Sequence, residues 1–192
     1  MQSRVVVITP PEPVVSLAEA KAHLRVDDGA EDTLITALIA AAEQHIDGPT
    51  GWLGRAIGRQ TLELRRCGFP SCGGWIALPF PSVVSITEVT YDDAAGASQT
   101  VLPENYRIYG EALALAPNAA WPATADNPES ARIRYLTGYE AGKVPAPIVA
   151  AIKLIVGDLW RFRDSIVLGQ VAEVPMSTTI AALLSPFRVW RL

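Results

Sequence analysis

Leu34, Ile35, Leu38, Ile39, Ala42 and Ile46 recur at intervals of three and four. That period puts side chains on one face of a helix and turns the face toward a core. A shorter helix precedes it in "SLAEAKAHLRV", with Leu17, Ala20 and Leu24 on one face. Ser16 with Glu19 three residues later has the spacing of a capping box, in which each side chain accepts the other residue's backbone N–H. Between the helices, "DDGAED" gathers Asp27, Asp28, Glu31 and Asp32 near the second helix's start, where the helix dipole favours negative charge. The two predict a helical hairpin, ended by "DGPTG".

The period then changes. "QTLELRR" alternates apolar and polar residues, as a half-buried strand does. "GFPSCGG" reads as a turn and "WIALPFP" as a short strand closed by prolines. "SVVSITEVTYDD" holds the β-formers Val84, Ile86, Val89 and Tyr91, and "AAGAS" after it reads as a hairpin loop. "NYRIYG" and "ALALAP" predict two further short strands. In "ARIRYLTGY", Ile133 and Tyr135 fall on one side and Arg132 and Arg134 on the other. Residues 117–130, with three prolines and no period, read as a loop.

Helical spacing returns after Pro145 and Pro147, which suit a helix start. "IVAAIKLIVGDLWRFRD" is apolar nearly all round as far as Trp160, as in a helix buried among others. Its expected partners are the first two helices. Pro175 and Pro186 bracket one more short helix. The chain closes on "LLSPFRVWRL", unusually apolar for a terminus. The expected fold is therefore α+β, in one domain over residues 1–192. Its helical core comes from both ends of the chain (14–56 and 144–164), with a small antiparallel β insertion (57–140) and a C-terminal arm (165–192).

Composition narrows the function. Of the 192 residues, 49% are hydrophobic and 19% charged, which is a globular balance. A net charge of −4 argues against a general nucleic-acid binder, which needs a basic face. Residues 145–192 hold five cationic side chains against three carboxylates, so the remainder is more acidic than the whole. The apolar run at the start is too short for a signal-peptide core, and none is long enough to cross a bilayer, so the chain reads as soluble. Two cysteines, Cys67 and Cys72, leave open one loop-closing disulfide but no disulfide framework or zinc site.

Candidate chemistry is thin. His23 and His45 sit in helical patterns that no motif connects. The carboxylate pairs Asp27–Asp28, Glu31–Asp32 and Asp92–Asp93 fit helix starts and loops better than a cation site. No nucleophile-elbow, zinc-protease, dinucleotide or phosphate-loop pattern occurs. Neither catalytic residues nor a cofactor or metal are expected. The five tryptophans stand out more, because Trp121 in the proline loop and Trp190 near the end are hard to bury in one domain. Tryptophan is enriched at protein–protein contacts.

The ordered set of motifs resembles the head–tail connector (adaptor) proteins of tailed phages and related gene transfer agents. The likeness runs through Leu17, Glu19, Ala20, Lys21, His23, Leu24 and Arg25, then Asp32, Leu34, Ile35, Leu38, Ile39, Ala41, Ala42 and Ile46, then Thr50 and Gly51. Where the family often has arginine after that glycine, this chain has Trp52 and Leu53, with Arg55 in the place of a displaced equivalent. "LPFPSVVSITEVTYDDAAG", "RIRYLTGY", "VPAPIVAAIKLIVGDLWRFRD" and "ALLSPFR" follow in the family's order.

The resemblance implies a structural protein of the virion neck, assembled in the host cytoplasm. It would form a ring, dodecameric in the particle, between the portal and a tail-side stopper or completion protein. DNA would pass through the channel without sequence-specific binding, and no membrane is involved. The family's C-terminal segment docks on the portal, which points to Leu183, Leu184, Phe187, Arg188, Trp190, Arg191 and Leu192 as a portal-binding arm. Arg188 and Arg191 would pair with acidic portal residues. Two alternatives stay open at this point: another ring-forming virion component such as a tail-completion protein, and a small enzyme or ligand-binding domain. The last predicts a deep polar pocket holding His23 or His45 with carboxylates close by.

Overall fold

A computed structural model describes residues 3–71, 74–162 and 177–190. The chain forms two compact units, Met1–Glu12 with Gly58–Tyr139, and Pro13–Ile57 with Glu140–Leu192. The fold is α+β, as the periodicities predict.

The first unit is mainly β, with a 3-10 turn at Pro103–Asn105 among its described residues. Its strands are β1 (Ser3–Thr9), β2 (Gln60–Arg66), β3 (Ile76–Ala77), β4 (Val83–Asp92), β5 (Ser98–Thr100), β6 (Tyr106–Tyr109), β7 (Ala112–Leu115) and β8 (Ala131–Thr137). They make one antiparallel sheet in the order β1-β2-β8-β4-β5 and a second in the order β3-β7-β6. Alternation decides the faces. Ala131, Ile133, Tyr135 and Thr137 of β8 are buried, and Leu62 and Leu64 of β2 stand opposite Tyr135 and Ile133. The buried Tyr135 hydroxyl donates to the Pro79 carbonyl at 2.6 Å. Between β4 and β5, the Asp93 carboxylate accepts the N–H groups of Ala95 (2.9 Å) and Ala97 (3.0 Å), and Gly96 takes a φ of +82°. This is the hairpin glycine that the sequence predicts.

The other face of the five-stranded sheet is charged. Glu63 is 3% exposed and holds Arg65 at 2.8 Å and Arg134 at 2.8 Å. Arg134 reaches on to Glu88, Arg65 to Glu129, and Arg132 pairs with Asp92. Burial opposes the ionisation of Glu63, but hydrogen bonds from Arg134 and then Arg65 outweigh it and hold the carboxyl below the ordinary range.

The strand β1, like the short β5, is an element that the sequence pattern did not supply. Its "VVVI" run has no period-two alternation, and its partner β2 lies far along the chain. Val5 and Val7 pair with Leu64 and Leu62, so the run forms a sheet edge.

The second unit is helical: α1 (Leu17–Leu24), α2 (Asp32–Ile46), α3 (Ala146–Arg161) and α4 (Thr178–Leu184). The predicted capping box is present at Ser16 and Glu19. Glu19 lies at about 2, lowered first by the Ser16 backbone N–H and then by Lys153 of α3. The acidic turn does more than answer the helix dipole, because the Lys21 ammonium donates to Asp32 (2.6 Å) and to the Asp28 carbonyl (2.7 Å), tying α1 to α2. The Glu43 carboxylate accepts the N–H groups of Val14 (2.8 Å) and Val15 (2.9 Å), which fixes the segment leading into α1. Burial pushes that carboxyl above its usual value.

Within the stripe of α2, Ile35, Ile39, Ala42 and Ile46 are buried, whereas Leu34 is exposed. The helix α3 packs on α1, α2 and α4 through Ile148, Ala151, Ile152 and Val156. It is buried on one side only: Leu159 is exposed, Trp160 is half-buried, and Phe162 at its C-cap is exposed. An apolar circumference therefore does not mean burial all round here. Among the described residues this helix has neighbours on part of its surface only, and part of its apolar side is left uncovered.

Candidate functional site: the C-terminal arm and its seat

The seat begins where α2 stops. Asp47 ends the helix, and its side chain accepts the Ile57 N–H at 2.6 Å, closing a loop over residues 47–57. Inside the loop, Gly48 N–H bonds Arg55 O (2.9 Å), Trp52 N–H bonds His45 O (3.0 Å) and Leu53 N–H bonds Ile46 O (3.2 Å). Gly51 is required by space, since a Cβ there would lie 2.3 Å from the Asp47 carbonyl oxygen. Leu53 is fully buried and pins the loop, leaving Trp52, Gly54 and Arg55 at its surface.

The arm lies on this loop. Ser177 caps α4 by accepting the Ile180 N–H (3.3 Å), and Ile180 and Leu184 are buried. The helix then tightens into a 3-10 turn at Ser185–Phe187, with Ser185 still helical at φ −55° and ψ −37° although a residue before proline ordinarily avoids that region. Val189 N–H donates to Leu53 O at 2.8 Å, and Arg55 Nε donates to Phe187 O at 3.0 Å. The Arg188 guanidinium sits between two indoles, 4.1 Å from the Trp52 ring centre and 3.9 Å from that of Trp190. Such stacking is favourable because the ring faces are electron-rich. Gly54 takes a φ of +62°, and a Cβ on it would come within 2.8 Å of the Val189 carbonyl oxygen.

The expected arm residues thus divide. Leu184 belongs to the helical core, Leu183 and Phe187 are half-buried, Arg188 is stacked and Trp190 is 72% exposed. Arg191 and Leu192 fall outside the described residues. Sequence reasoning noticed the arm but not its seat. The available signal was the departure from the family pattern at Trp52, Leu53 and Arg55, the three positions that now meet the arm.

The other candidates are dispersed. His23 is exposed, with its ring beside Gly157. His45 shares a groove of about 310 Å³ with Asp158, but the other lining residues are Ala41, Ile155, Leu159, Ser177 and Ile180. One histidine and one carboxylate among mostly apolar side chains differ from the deep polar pocket that an enzyme reading predicts. Among the described residues, no group of three or more His, Cys, Asp or Glu is placed to hold a metal ion, and no helix is long and apolar enough to cross a membrane. Cys67 is exposed, and the disulfide left open with Cys72 involves a residue outside the described set. Trp121 stacks on Phe69 with ring centres 4.5 Å apart.

An α+β chain with a helical hairpin, an inserted antiparallel β unit and a docked terminal arm is the class defined so far. Residues 14–68 match the model of the phage gp6-like head-tail connector protein family, which bears out the resemblance seen in the motifs. Solved structures share the fold over nearly the whole length. One is described as the neck of an empty GTA particle computed with C6 symmetry, with a TM-score of 0.74 and 21% identity over 98% of this chain and 97% of that one. A second, from the virion of a native gene transfer agent (GTA) particle, has a TM-score of 0.76 and 21% identity, covering 98% and 96%. A third, the neck of the native GTA particle computed with C12 symmetry, has a TM-score of 0.69 and 20% identity, covering 98% and 97%. None of these descriptions names an enzyme. No curated protein matches the chain.

Proposed function

We propose that this chain is a structural head–tail adaptor, not an enzyme. It works in the neck of a phage or phage-like particle as a ring between the portal and the tail-side stopper or completion protein, and it extends the DNA channel. The observation that carries the reading is a fold shared over 98% of the chain with gene transfer agent neck structures, together with the connector-family match at residues 14–68. The symmetric necks in which those relatives were solved support a ring of copies. The chain's charge supports a channel that DNA passes without being gripped, because −4 overall offers phosphates little net attraction.

The arm is the portal-binding element in this reading. Leu183, Phe187 and Trp190 supply apolar contact, Leu184 roots the arm in the core, and Arg188 and Arg191 meet acidic portal residues. Leu192 ends the segment. None of residues 185–190 is fully buried, so deleting from Ser185 onward should leave a folded helical unit that no longer binds portal. If the truncated chain unfolds, the arm is core and its portal role fails. Imaging of intact particles tests the placement: density for this chain directly beneath the portal is expected. Density lower in the tail would instead mark a tail-completion protein.

A further inference from the structure

We propose that the arm is latched in the free chain, and that the seat formed by Trp52, Leu53, Gly54 and Arg55 competes with the portal for it. The inference rests on the reading of residues 183–192 as the portal-binding arm and adds how that arm is held before use. The contacts that hold it are ones a docked arm would have to give up. The Val189 N–H is already bonded to Leu53 O, the Phe187 carbonyl already accepts from Arg55, and the Arg188 guanidinium already lies over the Trp52 ring.

The seat is shaped for backbone as well as for rings. Only glycine at position 54 admits the Val189 carbonyl, and the left-handed conformation there suits glycine. The latch is also weak enough to open. It consists of two hydrogen bonds and one stacked cation near solvent, with Trp190 mostly exposed. A partner binding only the released arm sees its affinity reduced by the fraction of chains in which the arm is free. Opening the latch should therefore tighten portal binding, and locking it should abolish that gain.

The locked form is Trp52→Cys with Arg188→Cys, joined by a short bifunctional thiol reagent in a Cys67→Ser, Cys72→Ser background. Its binding to isolated portal rings is compared with that of the same variant left unlinked. The linked chain should bind about tenfold more weakly or worse, and Trp52→Ala alone should bind several-fold more tightly than the parent. Equal binding of linked and unlinked chains would overturn the latch: the portal would then read the arm in its seated position, and the adaptor reading would stand. Retained binding after deletion from Ser185 would instead sink the arm's portal role, and the latch with it. Hydrogen exchange at the Val189 amide gives a readout without portal. It should be protected in the parent and accelerated by Trp52→Ala, and an unprotected parent amide would refute the latch directly.

Discussion

Glu63→Gln is the sharpest perturbation of the β unit. The carboxylate is nearly sealed from water and accepts three charged hydrogen bonds, from Arg65 Nε at 2.8 Å and from Arg134 at 2.8 and 3.2 Å. Glutamine keeps the shape but turns an amide N–H₂ toward an arginine and removes the negative charge. Removing one member of a buried ion pair costs about 3–5 kcal/mol. Here both arginines are about a third exposed and can rehydrate, so the expected loss is about 2 kcal/mol. Glu88→Gln, at the exposed end of the same network, should cost under about 0.5 kcal/mol.

The assay is native-state hydrogen exchange at the buried amides of β2 and β8, which reads this unit even if the helical unit unfolds separately. The pH dependence gives a second check. Glu63 has a folded value below its ordinary value of 4.5. Its contribution is therefore present above that value and disappears as pH falls through the lowered folded value. The gap between parent and variant should be widest at neutral pH and close in acid. A neutral-pH gap below about 0.5 kcal/mol, or one unchanged in acid, would refute the assignment of this stability to the carboxylate.

Two further substitutions test the helical unit. Ser16→Ala removes the capping-box hydroxyl and should lower the stability of that unit by about 1 kcal/mol in urea unfolding followed by helical circular dichroism. At Glu43, alanine strands the Val14 and Val15 N–H groups and should cost about 2 kcal/mol, whereas glutamine keeps an acceptor without a buried charge and should be close to neutral at pH 7. Because burial raises the Glu43 value, the parent should gain on Glu43→Gln as pH falls through that raised value, a trend visible in melting temperature against pH.

Much of the fold was legible because it depends on local periodicity. The Ser16–Glu19 box, the stripe of α2, the Gly96 hairpin and the alternation of Ile133 and Tyr135 against Arg132 and Arg134 all follow from neighbours within one turn or one strand. The edge strand β1 was not legible, because its partner β2 is distant and its own residues do not alternate. The exposure of Leu34, Leu159 and Phe162 was equally hidden, since a periodic pattern says which residues share a face but not whether a neighbour covers it. The candidate site was half legible: the arm announced itself by composition, while its seat did not.

The sequence by itself determined the α+β class, the order of most elements from α1 onward and the connector-like motifs, because each rests on short-range chemistry written in adjacent residues. Only the tertiary structure decided that Leu184 is core while Trp190 stands in solvent, and that Arg188 lies between Trp52 and Trp190. Those facts depend on bringing residues 52–55 beside residues 187–190. Hydrophobicity is non-directional, so an apolar arm states a preference for burial and leaves open which surface receives it.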